Sequence, residues 1–213
     1  SWLLQRGHCR NCNENISARY PLTELLCLLL FISCNFSAST NLSTIPKEVN
    51  LIIGWFLVSF LVTLSLLDVY HFWLPRSICN LGILIGLTIT FCIDLIDSET
   101  VGFGLLIGHL MATVSGYIFF VLVGMIAKSI IGKQALGHGD AMLVALMGAW
   151  LGLRGLGLSL MLAFIIAGAI VTIGLYTKRL KRGQALPFGP FLCLGCYLVW
   201  SLGADFWLKH LFI

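Results

Sequence analysis

Seven apolar runs, at residues 22–36, 51–67, 78–93, 101–127, 140–153, 157–177 and 188–208, follow one another along 213 residues with short polar breaks between them. Crossing about 30 Å of hydrocarbon takes roughly 20 predominantly apolar residues in a helix, and a water-soluble domain cannot hide this many such runs. With 59% hydrophobic residues, 10% charged residues and a mean hydropathy of +0.98, the chain has a bilayer as its natural solvent. The expected fold class is all-α, one polytopic transmembrane helix bundle of about seven spans. Two runs are short. The run 22–36 starts behind Tyr20 and Pro21, an interfacial start, and 140–153 opens on Asp140, which leaves a re-entrant or partly buried helix open for that segment.

Basic residues in the breaks set a direction. With the amino end inside, Arg6, Arg10, Arg19, Arg76, Lys128, Lys133, Lys178, Arg179, Lys181 and Arg182 fall on the cytoplasmic side. Only Lys47, Arg154 and Lys209 fall outside, which divides all 13 basic residues ten to three. The carboxyl end then faces outward. The net charge of +4 implies no nucleic acid, and the cluster from Lys178 to Arg182 suits anchoring on anionic lipid. Ser37 to Asn50 reads as an external loop without chemistry of its own. Because the chain opens on Ser1 with no charged leader before an apolar stretch, residues are expected to precede it.

Six of the eight cysteines, Cys27, Cys34, Cys79, Cys92, Cys193 and Cys196, sit in or at the ends of apolar runs, where a small buried thiol is the ordinary explanation. For Cys193 and Cys196, i, i+3 packing suffices and no metal is assigned. Cys9 and Cys12 lie in a polar setting with the two-residue gap that lets both thiolates reach one tetrahedral zinc, half of a possible four-ligand site. His8 is either a third ligand or a solvated loop histidine.

The nine acidic residues sort themselves under this topology. Glu48, Asp94, Asp97, Glu99 and Asp205 fall in external loops or near an external helix end, where solvation explains them, and Glu14 and Glu24 lie near the amino end. Asp68, after the apolar LVTLSLL, and Asp140, after the turn GHGD and before AMLVALMGAWLG, remain at the edge of hydrocarbon on the same side. An Asp at the centre of a membrane helix costs on the order of 2.5–3.5 kcal/mol, less near an end. Two carboxylates that meet in a polar cleft share a proton, so one can serve as base toward a water and the other as acid toward an amide. Gly137 and Gly139 would support such a site by allowing tight backbone and close approach at a helix start. A helix cap accounts for Asp140 as well, and an interfacial turn for Asp68, so spacing alone leaves both readings open.

Four ordered stretches resemble the bacterial type IV prepilin leader peptidases, GxGD-type intramembrane aspartic peptidases that also act as methyltransferases. SWLLQRGHCRNCNENISARYPLTELL is similar to the family's second Cys-x-x-Cys block and the segment after it. LLDVYHFWLPRSI is similar to its first catalytic segment, ALGHGDAMLVALMGAWLG to its Gly-x-Gly-Asp segment, and LPFGPFLCLG to its Pro-Phe-Gly-Pro-Phe segment. The chain departs from the pattern at Arg76, where the family usually has Asp, and at Met142, where it usually has Lys.

The resemblance implies Asp68 and Asp140 as the catalytic pair, with residues 1–20 a cytoplasmic remnant of the Cys-x-x-Cys region and 21–213 a transmembrane aspartic peptidase domain. It implies a multi-pass protein of the bacterial inner membrane, serving type IV pili or type II secretion. Its substrates would be prepilins or pseudopilins, cut at the cytoplasmic face to release a basic leader, typically after a glycine. The peptidase would need no cofactor, zinc belongs to the Cys-x-x-Cys region if anywhere, and S-adenosylmethionine enters only with a retained methyltransferase function. His138 could tune the pair or be an accident of a variable position. The competing class is a small transporter or channel using Asp68 and Asp140 for cations or protons, which needs polar residues continuing outward beyond Ser59, Thr63 and Ser65. A third is a homologue that only binds pilins, motivated by Arg76 and Met142.

Overall fold

The computed structural model describes residues 2, 4, 5, 7–37, 46–96, 103–131, 137–181, 184 and 186–212. Arg6, Lys133, Arg182, Asp97, Glu99 and most of the expected external loop lie outside the described residues. Among the described residues seven helices follow in order: α1 (Arg19–Ser33), α2 (Lys47–His71), α3 (Arg76–Ile96), α4 (Gly104–Ile131), α5 (His138–Tyr176), α6 (Gly189–Leu202) and α7 (Ala204–Phe212), with a 3-10 turn at Cys34–Phe36. The β pairing among the described residues is one isolated bridge, His8 to Asn15, in the polar amino-terminal segment.

Local chemistry explains the ends that matter for the site. Proline at 46 precedes α2, with Glu48 in its first turn complementing the helix dipole, and Phe72 in the left-handed region (φ 51°, ψ 34°) ends it. Pro75 then separates α2 from α3. Pro190 in the first turn of α6 suits a helix start, where its missing N–H is not needed, and Gly203 (φ 81°) ends that helix before a 95° bend into α7.

Among the described residues five helices are long and apolar enough to cross a membrane, six if the bent α6–α7 pair is one broken span, against the expected seven. The difference lies in α5, which holds the expected spans 140–153 and 157–177 in one 39-residue element. At about 1.5 Å per residue it would be roughly 58 Å long, near twice the hydrocarbon core. It does not run straight. Gly152 has φ 64° and ψ −176°, a conformation open essentially to glycine alone, and the chain reverses there. Before Gly152, α5 lies antiparallel to α4, with Gly148 against Ala112 and Val144 against Gly116; after it, Leu156 lies on Gly116 and Phe164 stacks 6.3 Å from Phe120.

The remaining neighbours follow from the same contacts. Trp150 Nε1 donates to the Gly82 carbonyl at 2.9 Å, joining α3 to the first arm of α5. The second arm packs on α6 through Ala163 and Gly195, and α2 lies antiparallel to α6, with Gly54 beside Trp200 and Asp68 beside Gly189. A Cβ on Gly148 would fall 2.7 Å from Ala112 backbone atoms, so small residues let these helices approach as membrane helices commonly do. Leu57, Leu64, Leu143, Leu146, Met147 and Leu192 fill the centre and are fully buried. Large apolar side chains such as Leu84, Met111, Ile126 and Ile173 cover the outside, as a bilayer solvent requires. The chain is a multi-pass membrane protein.

Two expectations are corrected. Asp94 is not a solvated helix-end carboxylate: it is 8% exposed, and its Oδ2 accepts the Leu106 N–H at 2.8 Å, satisfying an orphan donor in the first turn of α4. Of the six apolar-run cysteines, Cys34, Cys79, Cys193 and Cys196 are buried, whereas Cys92 is exposed on the outer face of α3 and Cys27 is half-buried.

Candidate active site

The end of α2 and the start of α5 meet at one end of the bundle. Asp68 sits in the last turn of α2 and is 6% exposed. Its Oδ2 accepts the backbone N–H of Gly189 at 2.7 Å, so the first residue of α6 caps onto the carboxylate of α2. Asp140 stands in the first turn of α5, half-buried, and its Oδ2 accepts the N–H of Gly137 at 3.1 Å. Each carboxylate therefore has one oxygen tied to a backbone donor and a second oxygen untied.

Both aspartates line a single cavity of about 500 Å³, whose other walls are Phe72 to Ser77 and Gly137 to Gly139. They face the same space and, among the described residues, are not hydrogen-bonded to each other. The wall is held in register by Leu74, which is 5% exposed and packs on the GHGD turn. A Cβ on Gly139 would fall 2.7 Å from Leu74 Cβ.

Sequence reasoning treated Gly137 and Gly139 alike, and the geometry separates them. Gly139 occupies a gap that a side chain would close. Gly137 has ordinary extended backbone (φ −82°, ψ 154°), and a Cβ there would meet Asp140 Oδ2 at 3.6 Å, a normal contact. Gly189 belonged to a quoted motif without a role; Pro190 marked the helix start that aims its N–H at Asp68, but nothing local named the acceptor 121 residues away.

Cys9 and Cys12 do not line this cavity and belong to the amino-terminal segment. Backbone N–H groups of Cys12 and Asn11, then the Cys12 thiol, lower the Cys9 thiol from its ordinary value. Two thiols supply half of a tetrahedral set, and among the described residues no group of three His, Cys, Asp or Glu is arranged to hold a metal ion. The backbone of His8 pairs with Asn15 through an isolated bridge, and His8 and Cys9 line one surface pocket.

A second cavity, of about 290 Å³, opens at the opposite end of the bundle, lined by Asn50, Thr90, His109, Trp150, Trp200 and Asp205 among others. The Nδ1–H of His109 donates to the Ala149 carbonyl at 2.9 Å, beside the reversal at Gly152. Sequence reasoning missed this cluster because its members come from separate helices.

Residues 55–173, more than half of the chain and including both aspartates, match the family model described as the type IV leader peptidase family. The chain belongs to that family. Residues 1–38 match a second model, the bacterial peptidase A24 N-terminal domain. Similar proteins include the prepilin leader peptidase/N-methyltransferase of Stutzerimonas stutzeri, 32% identical over 208 residues that cover 94% of this chain and 65% of the relative. The protein of the same name from Aeromonas hydrophila is 32% identical over 210 residues, 97% and 67% of the two chains, and that from Myxococcus xanthus 35% over 187 residues, 88% and 50%. The chain thus spans about two thirds or less of these relatives' length. No solved structure matches it.

Proposed function

We propose that this member of the family is an aspartic endopeptidase that removes the leader of type IV prepilins or pseudopilins at the cytoplasmic face of the bacterial inner membrane. Asp68 and Asp140 would activate the water. The observation that carries the reading is that these two carboxylates, from α2 and α5, line one cavity at one end of an apolar bundle. With one carboxyl ionised and the other protonated, the first takes a proton from water as the oxygen attacks the scissile carbonyl, while the second donates its proton to that carbonyl oxygen. Collapse of the tetrahedral adduct passes a proton to the departing amine.

Charge distribution supports the cytoplasmic assignment. The dyad end carries Arg19, whose guanidinium lies 5.8 Å over the Tyr70 ring, together with Arg76 and Lys128, and the α5–α6 connection brings Lys178, Arg179 and Lys181. A substrate helix in the bilayer would present its scissile bond at this level, and a glycine there would ease local unwinding. The relatives' second named activity, methyl transfer, is not part of this proposal, and the proposed hydrolysis uses no cofactor.

The transporter alternative gains the polar cavity at the far end, but buried Leu57, Leu61, Leu64, Leu143, Leu146 and Met147 fill the bundle between the two cavities. That plug weighs against a continuous polar path. The test is co-expression with a prepilin in membranes, read by the mobility shift of leader loss. Wild type is expected to process it while Asp68→Asn and Asp140→Asn, at equal membrane levels, do not; processing that survives either substitution overturns the dyad.

A further inference from the structure

The cavity that holds the dyad also holds a guanidinium with no use in the chemistry just described. Arg76, the first residue of α3, and His138, the first residue of α5, are both exposed and both line this cavity. Neither side chain has a hydrogen-bond or ion-pair partner among the described residues, although two carboxylates line the same space. Arg76 is not on a loose tether: Pro75 precedes it, and Leu74, two residues back, is buried against the GHGD turn. Its backbone is therefore fixed relative to Asp140, while Asp68 is fixed by Gly189.

A guanidinium keeps its charge at any accessible pH and presents a planar fork of donors matched to a carboxylate. Each dyad carboxylate is held through one oxygen by a backbone N–H and neither pairs with the guanidinium, which leaves the fork open to an anionic group brought in by the substrate. We propose that Arg76, with the His138 ring as a second polar contact, is a specificity-determining subsite that takes a carboxylate side chain of the substrate within a few residues of the scissile bond. This rests on the peptidase reading above. A phospholipid phosphate offers the same anionic oxygens, but the position of the guanidinium inside the dyad cavity favours the peptide.

The test uses the full chain in proteoliposomes and a prepilin in which each of the four positions on either side of the scissile bond carries in turn Glu, Gln or Lys. Wild type is expected to cleave the Glu form at one position with kcat/KM roughly 2- to 5-fold above its Gln form, the scale of an exposed ion pair. Arg76→Ala is expected to lose that preference, and Arg76→Glu to transfer it to Lys at the same position, a gain that an unfolded or dyad-damaged protein could not produce. A Glu to Gln ratio unchanged in Arg76→Ala overturns the subsite. So does a uniform loss on all substrates that follows the anionic lipid content of the vesicles, which would make Arg76 a lipid anchor. Cleavage that survives Asp68→Asn would instead overturn the dyad reading while leaving the Glu preference measurable. Absence of cleavage by wild type overturns both.

Discussion

Replacing Gly189 by alanine perturbs Asp68 without touching its chemistry. The added methyl would stand 2.7 Å from Oδ2, 3.0 Å from Cγ and 3.1 Å from Cβ of Asp68. Carbon atoms pack comfortably at about 3.5–4.0 Å, so the carboxylate or the start of α6 must retreat by roughly 0.5 Å or more. The 2.7 Å bond from the Gly189 N–H would lengthen or break. A hydrogen bond to a charged group contributes about 1.5–3 kcal/mol, which at about 1.4 kcal/mol per tenfold corresponds to roughly 10- to 150-fold in rate if the group is needed in the transition state. Misplacement of a reacting group on the ångström scale costs a similar factor. Gly189→Ala should therefore lower kcat by about 10- to 100-fold in reconstituted membranes, with KM changed by less than about 3-fold because the substrate helix touches other surfaces. Gly137→Ala is the control, since its methyl meets Asp140 Oδ2 at an ordinary 3.6 Å; it should keep kcat within about 3-fold. Wild-type kcat in Gly189→Ala would refute the positioning argument, as would a loss matched by a fall in thermal stability in detergent.

Gly139→Ala should reduce cleavage more than Gly137→Ala does, because its methyl would fall 2.7 Å from Leu74 Cβ and force the cavity wall off the GHGD turn; equal activity of the two variants would contradict this. Gly148→Ala inserts a methyl 2.7 Å from the Ala112 backbone, where overpacking costs on the order of 1–3 kcal/mol, and should lower the melting temperature of the detergent-solubilised protein while leaving kcat per folded molecule near wild type. Chelators, or Cys9→Ser with Cys12→Ser, should leave leader cleavage within about 3-fold, since the proposed acid and base are both carboxylates; a steep loss restored by zinc would reassign the amino-terminal thiols.

The bundle was legible because a helix in hydrocarbon must satisfy its own backbone, so each apolar run announces one crossing. The two arms of α5 were legible as separate runs with Arg154 in the break between them, but the reversal itself was not: it rests on the backbone of Gly152, one of 22 glycines. Asp94 was misread because a carboxylate at a helix end is ordinarily solvated, and its partner, the Leu106 N–H, belongs to the next helix. Asp68 and Asp140 stood out because charge at the hydrocarbon edge is rare and both fell on one side. Gly189, His109 and the apolar plug between the two cavities depend on contacts between helices far apart in sequence, which no local pattern encodes.

The central claim is that Asp68 and Asp140 act as one unit, and single-turnover cleavage of a prepilin by reconstituted wild type, Asp68→Asn, Asp140→Asn and the double variant tests it most directly. Groups that act together are strongly non-additive, so each single variant should fall to the same floor, at least about 1000-fold below wild type, and the double variant should fall no further. A single variant that keeps more than a few per cent of the wild-type rate, or a double variant far below both singles, would contradict the dyad.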